Sequence, residues 1–394
     1  MKNRDLHFYF IILFCISSID FFRPIFISSK TLDYIYYAFF LSAFLIIFLT
    51  FRSSEKNVFA TPIFLILISI LISAFFAAIY WYQSLIYSYV GVSYYLSYIL
   101  FFLLIVWKVH VKDIEKIIII LGLIYIIGYT ISLYLFPFII FGSEGGLDRG
   151  FQTIVLSGTG FLFLFSFYSL SQYLGKRQFL WLVIFFISMI FIIMLLVRTL
   201  IIVSFILLTL YILRMSSFIK KIIAILLVGC FVYIITQFNF FQLLVNQTKN
   251  QTENVGNDIR VLSARFYLTD FSPEIFNKIF GNGEPAGGSN YSRYSYYLEN
   301  ELGFFQSDIG YIGLYSKFGI LAILGYLILI FRTYKISVPS EYLYCKYYLY
   351  FIFLISVIID APFNNSFIPS IVLAIYVLHS KELSRTDNKE NSVL

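Results

Sequence analysis

Charge is scarce in this chain. Asp, Glu, Lys and Arg make up 12% of its 394 residues, where a soluble domain carries about 25%. That is too little to cover a water-soluble protein of this size, so a soluble enzyme and a disordered tail are both excluded. Cysteine is equally sparse. Cys15, Cys230 and Cys345 each lie in or beside an apolar run, at spacings that suit neither a metal site nor a disulfide framework. A secreted disulfide scaffold is therefore excluded too. Histidine is limited to His7, His110 and His379. No internal repeat is visible, which leaves an inverted-repeat transporter without support. The start, MKNRDLHFYFIILF, joins basic residues to an apolar run with no small-x-small cleavage site after it. It reads as a retained first helix.

Apolar surface is abundant. Hydrophobic residues reach 60% and mean hydropathy is +0.87. The expected fold class is all-α: a polytopic transmembrane helix bundle of about twelve spans. The apolar runs are 8–28, 34–51, 60–81, 84–107, 117–141, 151–174, 178–196, 199–213, 222–244, 309–331, 346–360 and 367–379. The stretch 178–213 would measure about 54 Å as one helix, too long for a single crossing, and is split at Arg198. The run 346–379 is broken by Asp360-Ala-Pro-Phe-Asn-Asn.

Twelve spans put both termini on one side. With the termini inside, the inner segments hold 18 basic and 8 acidic residues, and the outer side holds 10 basic and 13 acidic. This asymmetry makes the termini cytoplasmic. The net charge of +7 thus speaks of membrane orientation and not of nucleic acid. The expected division is residues 1–244 with nine spans, a large outer loop 245–308, and residues 309–394 with three spans and a cytoplasmic tail.

The 64-residue segment 245–308 is far longer than an ordinary connection. Asn257 or Asp258 caps a helix carrying Ile259, Leu262 and Phe266 on one stripe. Ser272-Pro273-Glu274 starts a second, with Ser at the N-cap and Pro at the first position, and Gly281 ends it. These are short amphipathic helices suited to a membrane surface.

Charge beside an apolar bundle is costly and often functional. Four arginines qualify on the outer half: Arg149 at the opening of RGFQTIVLSGTG, Arg198 in LLVRTLII, and Arg260 and Arg265 in RVLSAR. Their planar forks suit a diphosphate. Arg149 beside Asp148 reads equally as an interfacial residue that snorkels. GNGEPAGG at 281–288, with Gly281 and Gly283, is either a flexible turn or a phosphate cradle. It is not a P-loop, because no Gly-Lys-Ser/Thr follows. The tyrosines of 291–297 either anchor at the interface or stack on sugar rings. Among the loop acids, Asp308 lies where the chain re-enters the membrane and is the first candidate for a general base. Glu301 is the second, with Glu299 beside it. No Asp-x-Asp pair, outer His or outer Cys is present, so neither a metal nor any other cofactor is expected.

The whole pattern resembles the bacterial O-antigen polymerase (Wzy) and O-antigen ligase family. The resemblance rests on ten to twelve spans, a basic residue in a late-middle helix (LVRTL), and one large outer loop. That loop carries an arginine helix, the Gly-x-Gly turn GNG and then SDIGYIGLYSKFGIL. It implies an enzyme of the bacterial inner membrane that acts on undecaprenyl-diphosphate-linked oligosaccharides at the outer face. It implies that arginines stabilise the departing lipid diphosphate, and it allows a chain-length regulator protein as partner. The ligases carry a histidine near the end of the large loop. Ser307-Asp308 stands there in this chain, which favours polymerase over ligase. A lipid-linked oligosaccharide flippase is the other alternative, but it would lack the long loop.

Overall fold

The computed structural model describes residues 3–50, 57–136, 138–148, 151–215, 229, 258–272 and 274–391. The chain is predominantly helical. Among the described residues, five helical runs are long and apolar enough to cross a membrane: Ser29–Thr50, Ala60–Tyr80, Leu85–Val106, Val111–Tyr134 and Gln306–Lys335. They suggest a membrane protein. The first of them, α2 (Ser29–Thr50), leaves Phe48 and Leu49 more than three-quarters exposed. An apolar face of that kind needs lipid or a partner to cover it.

The chain starts with α1 (Asn3–Ser18). The first span was expected over 8–28, but the helix stops at Ser18. The hydroxyls of Ser17 and Ser18 fold back onto the carbonyls of Phe14 and Cys15. Asp20, Phe21, Phe22 and Arg23 then take left-handed backbone, a strain of about 1–2 kcal/mol per residue. The Gly142 amide, which donates to the carbonyls of Phe22 and Arg23, helps hold this corner.

After α2 comes α3 (Ala60–Tyr80), whose inner face carries Ile63, Ile66, Ile70, Ala74 and Ala77 at helical spacing. The run Leu85–Val106 is interrupted: α4 (Leu85–Val92) and α5 (Leu100–Val106) flank a 3-10 segment, Ser93–Ile99. A tightened stretch within a helix often marks a functional position. The Tyr98 hydroxyl there donates to the Pro362 carbonyl across the bundle.

Helix α6 (Val111–Tyr134) begins and ends earlier than the expected 117–141. Its charged first turns extend the helix beyond its apolar stretch, and Pro137 lies just past its end. The expected span 151–174 is corrected at its start. Residues Phe151–Val155 form strand β2, antiparallel to β1 (Ser143–Asp148), and α7 begins at Thr159 and ends at Lys176. Thr153, Ile154 and Val155 are β-branched and suit a strand.

Helices α8 (Phe179–Met194) and α9 (Arg198–Met215) separate at Arg198, as its charge predicts. Apart from residue 229, the expected span 222–244 lies outside the described residues.

The large loop contributes α10 (Ile259–Thr269), α11 (Ile275–Phe280) and α12 (Asn290–Asn300). Asp258 caps α10 by accepting from the Arg260 amide at 2.8 Å. Ser272 does not cap α11. Glu274 holds that position without a side-chain bond, because the Ser272 hydroxyl accepts from Asn282 at 2.9 Å.

Helix α13 (Gly310–Lys335) follows the 3-10 turn Gln306–Ile309. Helices α14 (Leu343–Ile355) and α15 (Ile368–Asn391) close the chain. Helix α3 runs along α13, and α14 packs against both α7 and α9. Loop helix α11 lies on both α3 and α13, and α10 packs on the turn 306–309. The loop is therefore seated on the bundle.

Candidate functional site

The site is built where the glycine turn meets a broken helix. Within α13, Gly319 has φ 75 and ψ −173. Gly281, at the end of α11, has φ 87 and ψ 169. Both lie in a region only glycine enters freely, at about 1–3 kcal/mol for other residues. The two face each other. A Cβ on Gly281 would overlap the Lys317 carbonyl, and one on Gly319 would overlap the Ile279 carbonyl.

The break in α13 frees carbonyls, and the turn takes them up. The Asn282 amide donates to Ser316 O at 3.0 Å and the Gly283 amide to Lys317 O at 2.8 Å. The Gly281 amide goes to Asn277 O at 2.8 Å. These three amides are committed to protein carbonyls and do not form a phosphate cradle.

Two amide side chains lock the turn in place. Asn282 is fully buried. Its Oδ1 accepts from Trp81 Nε1 at 2.9 Å, and its Nδ2 donates to Ser272 Oγ and Ser316 O, both at 2.9 Å. Gln83 uses both ends as well. Its Oε1 accepts from the Ala286 amide and the Ser289 hydroxyl, and its Nε2 donates to Ser88 Oγ and Glu284 O. Of the tyrosine tract, Tyr291 stacks on Trp81 with centroids 4.6 Å apart, and Tyr294 sits 5.7 Å from the same ring. Tyr291 is buried and Tyr294 half-buried. Tyr296 and Tyr297 remain exposed.

This packing surrounds a buried cation. Lys317 is almost wholly enclosed, with its Nζ 3.0 Å from Glu284 Oε2 and 3.9 Å from Asp360 Oδ2. The Tyr95 ring lies 5.9 Å from the same ammonium. One cation thus ties the glycine turn, the broken helix and the turn between α14 and α15. A charge held this deep requires partners.

Glu299 of α12 lies within electrostatic reach of the same lysine. Burial pushes its carboxyl upward, the Lys317 charge opposes that, and Glu284 adds to it. A raised folded value means that the native state holds this proton more tightly than the unfolded chain does. Stability should therefore fall as pH rises from the ordinary glutamate value, near 4.3, through the raised one. Melting curves across that window should show a shallower slope for Glu299→Gln. An unchanged slope would remove Glu299 from the linkage.

Arg260 and Asp308 meet at the edge of this core. Arg260 Nη2 lies 3.9 Å from Asp308 Oδ2, and the two side chains are 49% and 43% exposed. An exposed pair adds under about 1 kcal/mol to stability, so both groups stay open to a ligand at little energetic cost. The Ser307 carbonyl, next to Asp308, accepts from the Asp360 amide at 3.1 Å. A single backbone bond thereby connects the Arg260–Asp308 edge to the buried cluster.

The other described candidates lie further along α10, at the start of α9 and at the end of α12. Arg265 is exposed on α10, five positions and about 140° around the helix from Arg260. Arg198 opens α9, which packs against α14, α7 and α8. Glu301 is exposed and caps the C-terminus of α12. Arg149 lies outside the described residues. No group of three or more His, Cys, Asp or Glu that could hold a metal is found among the described residues.

Sequence reasoning missed Lys317, Asn282 and Gln83. Lys317 carried a usable signal: a lone lysine in the apolar run 309–331, bound by the same rule that singled out the arginines. Asn282 and Gln83 carried none, since one buried amide looks like any other in sequence.

Comparisons of the chain with protein-family models, curated proteins and solved structures find no match.

Proposed function

We propose that the chain is a surface-polysaccharide polymerase of the bacterial inner membrane. It joins undecaprenyl-diphosphate-linked repeat units at the outer face. The observation that carries this reading is the Arg260–Asp308 pair, open at the edge of a loop that is itself fixed to the bundle. A glycosyl transfer from a lipid diphosphate needs a base for the acceptor hydroxyl and cations for the leaving group. The pair offers one of each, side by side.

In this mechanism the carboxylate of Asp308 takes the proton from a hydroxyl at the non-reducing end of a new repeat unit. That oxygen attacks the anomeric carbon of the growing chain. The bond to the lipid diphosphate breaks, and its electron pair leaves with the diphosphate, held by Arg260. Arg149, Arg198 and Arg265 supply further charge to the same diphosphate. Glu301 is the second candidate for the base. The energy comes from the diphosphate bond, so no nucleotide or metal enters.

The topology that belongs to this reading has about twelve spans, both termini in the cytoplasm and segment 245–308 in the periplasm. A cysteine at Asn290 should react with an impermeant thiol reagent added outside, and one at Lys112 should not. The reverse labelling would overturn the orientation.

Deletion of the gene tests the function. A single repeat on the lipid A core is the expected gel pattern. Accumulated long lipid-linked chains would indicate a ligase, and loss of all repeats would indicate a flippase.

A further inference from the structure

A second constellation lies away from the loop, on segments 4–8 and 107–113. A cavity of about 180 Å³ opens between the beginning of α1 and the corner that joins α5 to α6. Arg4, His7, Trp107, Lys108, His110 and Asp113 line it. Two fixed cations and one carboxylate therefore line the same cavity, with two imidazoles beside them.

That carboxylate is already engaged. Asp113 accepts from Arg4 Nε and Nη2 at 2.8 Å each, and Lys116 Nζ lies 3.8 Å from its Oδ1. The paired bonds hold the guanidinium plane in a fixed orientation. His110 stands at the N-cap of the 24-residue α6 and makes no side-chain cap bond. The positive end of that helix adds to the field at the cavity. Trp107 stacks on His7 with centroids 4.2 Å apart and an interplanar angle of 4°. Indole rings favour the headgroup depth of a bilayer.

We propose that this cavity seats the phosphodiester headgroup of an anionic phospholipid. The proposal rests on the membrane reading above and is independent of the polymerase chemistry. A zwitterionic lipid presents the same phosphate, but it also brings its own cation toward Lys108 and Arg4. Discrimination should come from net charge, at about fivefold per basic side chain near the headgroup.

The test uses the full chain in mixed micelles with brominated-acyl phosphatidylglycerol or phosphatidylcholine. The quenching of tryptophan fluorescence that Trp107→Phe removes isolates Trp107. Half-quenching should need at least about fivefold less phosphatidylglycerol than phosphatidylcholine. Lys108→Asn with His110→Ser should abolish that preference. Both changes respect the backbone, since Lys108 has φ 47, which asparagine tolerates, and serine is a good N-cap. Should the double variant fail to elute as the wild type does, Lys108→Asn alone carries the comparison and should reduce the preference severalfold.

Equal quenching by the two lipids would overturn the site, as would a preference that survives these substitutions. Release of phosphatidylglycerol by millimolar inorganic phosphate would make it a free-phosphate site and overturn the lipid assignment. Quenching of Trp107 by neither lipid would overturn the site and leave the membrane reading, which rests on the long apolar helices, in place.

Discussion

Lys317→Met should destabilise the protein by about 3–5 kcal/mol, the usual result of removing one partner from a buried ion pair. The loss comes from what is left behind. Glu284 and Asp360 both depend on the same ammonium, and neither carboxylate can be abandoned there without protonation or exposure. Glu284 belongs to the glycine turn, so the loop should detach before the bundle melts. Protease sensitivity confined to 258–300 would report that step. A second variant separates charge from packing. Lys317→Met with Glu284→Gln and Asp360→Asn removes all three charges together, and it should recover most of the stability, because apolar or neutral replacement of a whole buried cluster is often nearly neutral. Melting of the purified chain in detergent measures both. Wild-type melting of Lys317→Met would show that the lysine holds nothing together.

Asp308→Asn should lower chain growth by about a hundredfold or more and leave melting unchanged. General-base catalysis contributes roughly 10²–10⁴ in rate, and a half-exposed ion pair contributes little to stability. This is the opposite profile to Lys317. Arg260→Ala should also abolish growth, while Arg260→Lys should keep part of it, because lysine retains the charge but loses the fork. Alanine at Arg149, Arg198 or Arg265 should likewise remove the chain-length ladder. Normal ladders from all four alanine variants at wild-type protein level would refute the diphosphate assignment. If Asp308→Asn is active and Glu301→Gln is not, the base moves to Glu301.

The helices were legible where apolar runs were bounded by charge or proline. Ala60–Tyr80 and Phe179–Met194 lie close to their expected limits, and Arg198 marks the break it was expected to mark. Misreadings came where polar groups overrode hydropathy. Helix α1 ends at Ser18, just before the left-handed corner Asp20–Arg23. Residues 151–155 are as apolar as a span but pair as a strand. Ser272 looks like a cap, yet a distant asparagine claims its hydroxyl.

The site was half legible. Arg260 and Asp308 were both named from sequence, and they meet across the loop. Lys317, Glu284 and Asp360 come from three segments that only the fold brings together. Glu284 and Asp360 each looked like part of a turn. Composition showed that charge was rare, but not that the rare charges would share one core.

The most direct test is chain growth by the purified protein alone, given undecaprenyl-diphosphate-linked repeat units in excess EDTA. The expected result is a ladder of lengthening lipid-linked chains with release of undecaprenyl diphosphate, undiminished by the chelator and lost in Asp308→Asn. No lengthening under any condition, or growth restored only by magnesium or manganese, would contradict it.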